Sequence, residues 1–197
     1  MSALVASRPP VRRFPSALID RLRLSNGREV VLRPVLEFDA AAEQDFFSHA
    51  LSPTSRLRRF HVGLHEVPPS MLRAMTQVDH DDHVAIVAEG FADGDDDAPA
   101  IVADARYVRA ARGSPCEEAE FAIAVADDWQ GLGLGRTLMQ RLSRHAARRG
   151  IRRLVGDVMT GNTAMFSLVV ALGGRLEVSP EGPGVTRARF DLGPCDD

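Results

Sequence analysis

The chain has 197 residues, of which 45% are hydrophobic and 26% are charged, a composition that excludes wholesale disorder. The formal net charge is −3, and no apolar run approaches the ~20 residues that span a bilayer, so we expect neither nucleic acid nor a membrane as a partner. Two cysteines, Cys116 and Cys195, lack metal-binding spacing and are too few for a disulfide scaffold, which favours a cytoplasmic location.

The first half of the chain is predicted to alternate short strands and short helices. Residues 1–17, rich in proline and arginine, are expected to form a flexible arm before a single domain at 18–197. Asn26-Gly27 between two extended runs predicts a hairpin, because both residues tolerate positive φ. Asp39 as an N-cap and Pro53 in a first turn are typical of helix starts. The predicted strands are 19–24 and 28–35, and the predicted helices are 39–50, 52–60 and 68–77.

The second half has a different rhythm, with longer strands first and alternating helices and strands later. Asp93 to Asp97 is predicted to be a solvated hairpin tip, since no glutamate closes a twelve-residue calcium loop there. We predict an α+β (mixed α/β) fold, in which an antiparallel meander precedes a strand–helix–strand–helix segment. The predicted strands are 84–88, 101–108, 118–126, 153–159, 175–178 and 185–191, and the predicted helices are 135–149 and 163–172.

A glycine-rich segment, Gln130 to Thr137, joins the third meander strand to an amphipathic helix. Its alternating glycines let successive backbone N–H groups curve around an anion, and the helix N-terminus adds partial positive charge. The segment therefore predicts a phosphate cradle, although a plain turn and helix cap is the alternative. A Walker loop is excluded because the chain has no lysine, and a dinucleotide fingerprint fits poorly because Arg136 replaces its third glycine. The helix stripe is Leu134, Leu138, Leu142 and Ala146.

The pattern Gln130-x-x-Gly133-x-Gly135, after a meander and before a strand–helix unit, resembles the acyl-CoA pyrophosphate motif of the GNAT superfamily of N-acetyltransferases. The resemblance implies a GNAT-like, mostly antiparallel central sheet flanked by helices, with acetyl-CoA as acyl donor and no metal. It also implies pantetheine pairing along Ile123, Ala124 and Val125, and a contact to Asn162, which suits a helix N-cap equally well. The implied pyrophosphate contacts are Gln130, Gly131, Leu132, Gly133, Leu134, Gly135, Arg136 and Thr137.

Segments across roughly residues 20–192 look most similar to bacterial protein lysine acetyltransferases of the Pat type. They include Arg28 to Val35, Phe46 to Ser48, Leu51 to Arg56 and Ala119 to Ala122. The resemblance implies a protein lysine as the acceptor and Glu120 as the general base. The pattern of the strand agrees, because Glu120 alternates with small alanines that leave space for a substrate. The alternative for Glu120 is a structural glutamate that faces solvent or pairs with an arginine.

Two positions depart from the family pattern. The tyrosine general acid of many relatives falls at Val169, and the aromatic residue after the Leu-Gly ending falls at Gly174. The favoured function is an acetyl-CoA-dependent N-acetyltransferase acting on a protein lysine, as a monomer or homodimer. Two alternatives stay open, a small-amine or antibiotic N-acetyltransferase and a non-catalytic acyl-CoA-responsive binding module. His80 to His83 is predicted to be a surface turn, because His-x-x-His lacks a third metal ligand nearby.

Overall fold

The strands form one eight-stranded sheet in a computed structural model, which describes residues 14–91, 99–110 and 116–195. The predicted acidic tip and most of the predicted arm lie outside these ranges, apart from a 3₁₀ turn at Ser16–Leu18. The strand bounds are β1 Asp20–Arg23, β2 Glu29–Pro34, β3 His83–Gly90, β4 Ala100–Arg109, β5 Glu118–Val125, β6 Arg153–Met159, β7 Arg175–Val178 and β8 Val185–Asp191.

The sheet has the strand order β1-β2-β3-β4-β5-β6-β8-β7. All neighbouring strands are antiparallel except β5 and β6, which are parallel. The predicted mixed, mostly antiparallel sheet is therefore confirmed. The parallel pair lies in the middle, where the meander gives way to the strand–helix units.

The parallel pair β5–β6 separates part of the way along. Their pairing runs from Glu118–Arg153 to Glu120–Val155 and extends no further in the described register. β6 nevertheless stays paired with β8 as far as Met159. The second half of β5 therefore diverges from β6, and a wedge opens between them.

The helices flank both faces of the central strands. Alternate side chains of β4 point to opposite faces, so Arg106 contacts Glu43 on one face while Tyr107 contacts His145 on the other. The face of the long fourth helix that was predicted to be buried is confirmed as buried, with Met139 added to it. The helix bounds are α1 Ala40–Asp45, α2 Pro53–Phe60, α3 Pro69–Thr76, α4 Leu134–Arg148 and α5 Thr163–Ala171. None of these is both long and apolar enough to cross a membrane, within the ranges that the structure describes.

The predicted helix at 39–50 is wrong in detail. It is divided into a 3₁₀ turn at Glu37–Asp39, the short α1, and a π-helical turn at Phe46–Ala50. Asp39 does not cap α1 with its side chain. Its buried carboxylate instead accepts hydrogen bonds from the Leu36 N–H at 2.7 Å and from Arg33 Nη1 at 2.6 Å. The arginine on β2 thus draws Asp39 back toward the preceding chain.

The cysteines are joined to each other, which the sequence interpretation did not foresee. Cys116 and Cys195 form a disulfide across 79 residues of sequence, with Cα atoms 4.7 Å apart. The register explains the meeting, because Glu118 pairs with Arg153 and Arg153 pairs with Asp191. The start of β5 and the end of β8 therefore lie at the same end of the sheet, and the cysteines lie just beyond these strand ends.

Candidate active site

A cleft of about 1000 Å³ opens where β5 and β6 separate. One wall is formed by α2 and α3, and the other by β6 and the start of α5. The glycine-rich segment Gln130 to Arg136 lies at one end, and Glu120 lies within the cleft on β5. The cleft therefore brings together the two parts of the chain from which sequence reasoning predicted chemistry.

The glycine-rich segment has the backbone that its sequence requires. Gly131 and Gly133 have φ of +74° and +87°, a left-handed conformation that side chains other than glycine rarely adopt. The side chain of Gln130 fixes the approach, since its Nε2 donates to the Val125 carbonyl at 3.0 Å. The chain thus turns sharply from the end of β5 into α4.

The start of α4 offers unpaired backbone donors to the cleft. The Thr137 N–H donates to the Gly133 carbonyl at 3.1 Å and closes the first turn, so the N–H groups of residues 133–136 have no partner inside the helix. A Cβ built on Gly135 would meet Ile123, Val125 and Leu168 at 3.7–3.9 Å. Any longer side chain at 135 would therefore enter the space between β5 and α5. This geometry suits an anion at the helix N-terminus.

The predicted binding residues divide into two groups. Three of them direct their side chains elsewhere, because Leu134 is buried in the core, Leu132 packs against it, and Thr137 Oγ1 donates to the Gly133 carbonyl at 3.2 Å. Leu132 and Leu134 can therefore contribute only backbone N–H groups, and the Thr137 N–H is already bound to the Gly133 carbonyl. The predicted residues that line the cleft are Ile123, Ala124, Val125, Gln130, Gly131, Gly133, Gly135, Arg136 and Asn162.

Asn162 and Arg136 both have structural contacts beside the cleft. Asn162 Oδ1 accepts from the Met165 N–H at 3.2 Å, so its N-cap role is confirmed, while its ligand contact stays a prediction. Arg136 Nη2 donates to the Ala171 carbonyl at 3.0 Å and ties the start of α4 to the end of α5.

Glu120 is the last residue of β5 that pairs with β6, and its side chain is exposed. Because Arg106 pairs with Ala122 in the register, Glu120 and Ala122 share the face of the sheet that carries Arg106. Within the described ranges, Glu120 has no hydrogen bond and no ion pair within 4 Å. The structure therefore does not contain the arginine-paired alternative, while the solvent-facing alternative agrees with the exposed side chain and the base role stays a prediction.

Two of the three other carboxylates that line the cleft, Glu118 and Asp157, are already occupied, and the third, Glu181, lies between β7 and β8. Glu118 pairs with Arg153 at 3.5 Å. Asp157 pairs with Arg187 at 2.9 Å and accepts from Ser179 Oγ at 2.6 Å. Burial acts to raise the pKa of Asp157, but the hydrogen bonds from Arg187 and Ser179 outweigh it and hold the pKa below its usual value. Of Glu118, Glu120 and Asp157, Glu120 is the one whose oxygens stay available.

A buried charge cluster lies behind the α2 wall, and sequence reasoning missed it. It contains Glu43, Arg59, Asp104 and Arg106. Arg106 donates to Asp104 through Nε at 2.9 Å and through Nη2 at 2.6 Å, and its Nη2 lies 3.1 Å from Glu43. Arg59 lies 3.9 Å from Asp104 and lines the cleft. The signal in the sequence was the pair of charges at 104 and 106 within an otherwise apolar strand.

Burial sets the protonation of this cluster. Burial and the neighbouring Asp104 raise the pKa of Glu43 to about 8, against the opposing pull of Arg106. Burial lowers the pKa of Arg59 to about 10, although Asp104 opposes the change and Glu120 also acts to raise it. Arg59 is thus the member of the cluster on which the charge of Glu120 also acts.

Two further positions from the sequence now have a place. Val169 is fully buried, so the position where many relatives carry a tyrosine faces the core of this protein. The predicted surface turn before β3 is confirmed, because Asp79 Oδ1 accepts from the N–H groups of Asp81, Asp82 and His83 at 2.8–2.9 Å. Among the residues that the structure describes, no group of three or more potential metal ligands occurs.

Comparison with known proteins finds acetyltransferases. Residues 64–173, more than half of the chain, match the profile of the acetyltransferase (GNAT) family. An acetyltransferase of Pseudomonas aeruginosa is 35% identical over 150 residues, which cover 76% of this chain and 77% of that protein. Acetyltransferase Pat of Mycolicibacterium smegmatis is 32% identical over 180 residues, or 89% of this chain. The match covers 49% of Pat, so the chain spans about half the length of that relative.

Solved structures agree on the fold. The GNAT domain of PAT from S. lividans has a TM-score of 0.79 at 27% identity, covering 91% of this chain and 99% of that one. The protein yncA from Salmonella typhimurium, solved with its cofactor acetyl-CoA, has a TM-score of 0.63 at 21% identity, covering 85% of this chain and 98% of that one. At that identity the second likeness concerns the fold alone. The profile match and the relatives show that this chain belongs to the GNAT family of acetyltransferases and is related to the Pat type.

Proposed function

We propose that this protein transfers the acetyl group of acetyl-CoA to the side-chain amine of a protein lysine. The observation that carries the proposal is Glu120, an unpaired carboxylate in a cleft whose other end is a phosphate cradle. The relationship to Pat-type acetyltransferases supports a protein lysine as acceptor.

Acetyl-CoA fits the cleft by its chemistry. The pyrophosphate is placed against the N–H groups of residues 131–136, where the glycines leave room and the helix N-terminus favours negative charge. The pantetheine arm lies along Ile123 to Val125, the part of β5 that no longer pairs with β6. A backbone N–H near Val125 then polarises the thioester carbonyl and steadies the oxyanion.

Glu120 removes the proton that makes the acceptor amine unreactive at neutral pH. A lysine amine with a pKa near ~10.4 is neutral in about one molecule in 2,500 at pH 7. Glu120 accepts the ammonium proton, directly or through water, and the freed nitrogen attacks the thioester carbon. As the amide forms, the C–S bond breaks and the nitrogen releases its second proton to water, and the CoA thiolate takes up a proton from water. Val169 is buried, so no tyrosine at that position supplies this proton.

The absence of lysine from the sequence gives a clean assay. The protein is mixed with acetyl-CoA and, in separate reactions, with lysine-bearing proteins and with small amines. Thiol release and intact mass are followed together, and any acetyl-lysine must come from the acceptor because only the α-amino group of the enzyme can react. We expect thiol release coupled to a gain of one acetyl mass on a lysine-bearing protein.

The alternative functions predict different results in the same assay. Acetylation confined to small amines would favour the small-amine enzyme and contradict the protein acceptor. Acetyl-CoA binding in calorimetry without thiol release, across the whole acceptor panel, would favour the acyl-CoA-responsive binding module.

A further inference from the structure

Asp127 links the end of β5 to the start of α2. Three donors surround its carboxylate, the Ser52 N–H at 2.7 Å, Ser52 Oγ at 3.1 Å and Ser55 Oγ at 2.8 Å. The two serines precede Asp127 by 75 and 72 residues in sequence. They belong to the Leu51 to Arg56 segment, which the proposed function leaves without a role.

The contact joins two segments that adjoin different parts of the cleft. Asp127 follows Val125 by two residues, and its carbonyl accepts from the Gln130 N–H at 3.2 Å. It therefore moves with the segment proposed to hold the acyl donor. On the other side, α2 contributes Ser55, Arg58 and Arg59 to the wall that faces Glu120. The hydrogen-bonded residues Ser52, Ser55 and Asp127 are called the clamp below.

Other contacts hold α2 at its end, where Phe60 packs on Phe47 with ring centroids 5.0 Å apart and Arg59 lies 3.9 Å from Asp104. None of the side chains of α2 is fully buried. Arg56 ties the helix only to the chain just before it, through the carbonyls of Ser48 at 2.6 Å and Leu51 at 2.9 Å. A negative carboxylate at the helix N-terminus is well placed for the free N–H groups and the helix dipole. The clamp therefore fixes the start of α2 relative to the glycine-rich segment.

We propose that Asp127 is a positioning residue that couples the two substrates. When the donor orders the glycine-rich segment, the clamp orders α2, so the wall that receives the amine is set before the amine enters. By linkage, an acceptor bound against α2 tightens donor binding by the same factor. This inference rests on the proposed function, because it assigns the two ends of the cleft to donor and acceptor.

Hydrogen–deuterium exchange tests the coupling with acetyl-CoA as the probe. The proteins compared are the wild type, Asp127→Asn and Ser55→Ala, with Asp128→Asn as the matched control. Asp128 is the neighbouring exposed carboxylate, and its contact to Arg28 uses the backbone carbonyl, which the control leaves in place. In the wild type and in the control, saturating acetyl-CoA should slow exchange in residues 130–137. It should also slow exchange in residues 53–60 of both proteins at least threefold. In Asp127→Asn, acetyl-CoA should still protect residues 130–137 but should no longer protect residues 53–60.

A purely structural clamp gives a different result. In that case Asp127→Asn would speed exchange in α2 equally with and without acetyl-CoA, and the ligand-induced ratio would stay at the wild-type value. That result would overturn the inference. So would a wild type in which residues 130–137 are protected and α2 is not. Ser55→Ala removes one of three donors, so it keeps the test open if Asp127→Asn unfolds.

Kinetics with poly-L-lysine as acceptor give a second readout. Asp127→Asn should raise the KM for poly-L-lysine at least threefold while the Kd for acetyl-CoA stays within twofold of the wild type. An unchanged KM would contradict the coupling. If acetyl-CoA protects no part of residues 130–137 in the wild type, the proposed donor site itself fails, and the coupling fails with it.

Discussion

Replacing Glu120 by glutamine tests the proposed general base most directly. The amide keeps the size of the side chain and removes its ability to accept a proton. Of the other three cleft carboxylates, Glu118 is paired with Arg153, Asp157 is held by Arg187 and Ser179, and Glu181 lies on the loop between β7 and β8, so Glu181→Gln is a further control. Loss of general base catalysis then lowers turnover at neutral pH by ~10²-fold or more. Acetyl-CoA affinity should be unchanged, because Glu120 lies apart from the glycine-rich segment proposed to bind the pyrophosphate.

The pH dependence of the variant identifies the lost function. The neutral fraction of a lysine amine rises tenfold per pH unit, from about 1 in 2,500 at pH 7 to about 1 in 25 at pH 9. Glu120→Gln should therefore recover much of its deficit as the pH rises. Initial rates of thiol release from pH 6 to 9, at saturating acetyl-CoA, measure this recovery.

Glu118→Gln is the matched control, since it lies two residues earlier on the same face of β5 and also lines the cleft. It loses an ion pair that is partly exposed to water, worth at most about 1 kcal/mol, and should keep turnover within threefold of the wild type. Wild-type turnover by Glu120→Gln across pH 6 to 9, with chemistry shown to be rate-limiting, would refute the role of Glu120. A loss confined to Glu118→Gln would move the base to that residue.

Three further changes test the cleft and the fold. Gly135→Asp projects a carboxylate toward the cleft and should weaken acetyl-CoA binding at least tenfold, or about 1.4 kcal/mol by calorimetry, whereas Gly135→Ala should lose less. Equal affinity of the Asp variant and the wild type would place the donor elsewhere. Gly156→Ala puts a Cβ 2.9 Å from the Phe121 carbonyl oxygen and should cost about 1–3 kcal/mol in urea denaturation, and an unchanged midpoint would contradict that close approach. Cys116→Ser should cost about 2–4 kcal/mol under non-reducing conditions, and a reductant should lower the Tm of the wild type but not of the variant. Equal Tm values without reductant would mean that the bond to Cys195 does not form in solution.

Local pattern was enough to predict the structure of the glycine-rich segment and of α4 after it. Gly131 and Gly133 have positive φ, and the stripe from Leu134 to Ala146 is buried, because turn chemistry and helical period depend on residues close together in sequence. The same holds for the N-cap Asn162 and for Pro53 in the first turn of α2. These features need no knowledge of the sheet order.

Contacts between distant parts of the chain could not be predicted in this way. Asp39 was expected to cap a helix, but its partner Arg33 lies on a strand whose position depends on the whole meander. Glu43 meets Arg106 across 63 residues, and the cysteines meet across 79. The position of Glu120 is likewise a consequence of register, because it is the last residue of β5 that pairs with β6.

Glu43 shows how such a distant contact becomes measurable. Its buried carboxyl faces Asp104 and Arg106 of β4 and Arg59 of α2, and its pKa is raised from an ordinary value of 4.5 to about 8. The folded protein therefore holds this proton to higher pH than the unfolded chain does. The stability that Glu43 contributes is fully present below about pH 4.5 and is lost as the pH rises through about 8.

Glu43→Gln stays uncharged at every pH, so between pH 5 and 8 the wild type should lose free energy of unfolding relative to the variant, by up to about 1.4 kcal/mol per pH unit. Burial and Arg106 lower the pKa of His83 to about 4. Protonation of His83 at acid pH destabilises both proteins equally. The difference between their urea denaturation curves therefore isolates the effect of Glu43. Parallel curves from pH 5 to 8 would mean that Glu43 is ionised in the folded protein, with Arg106 and Arg59 outweighing its burial.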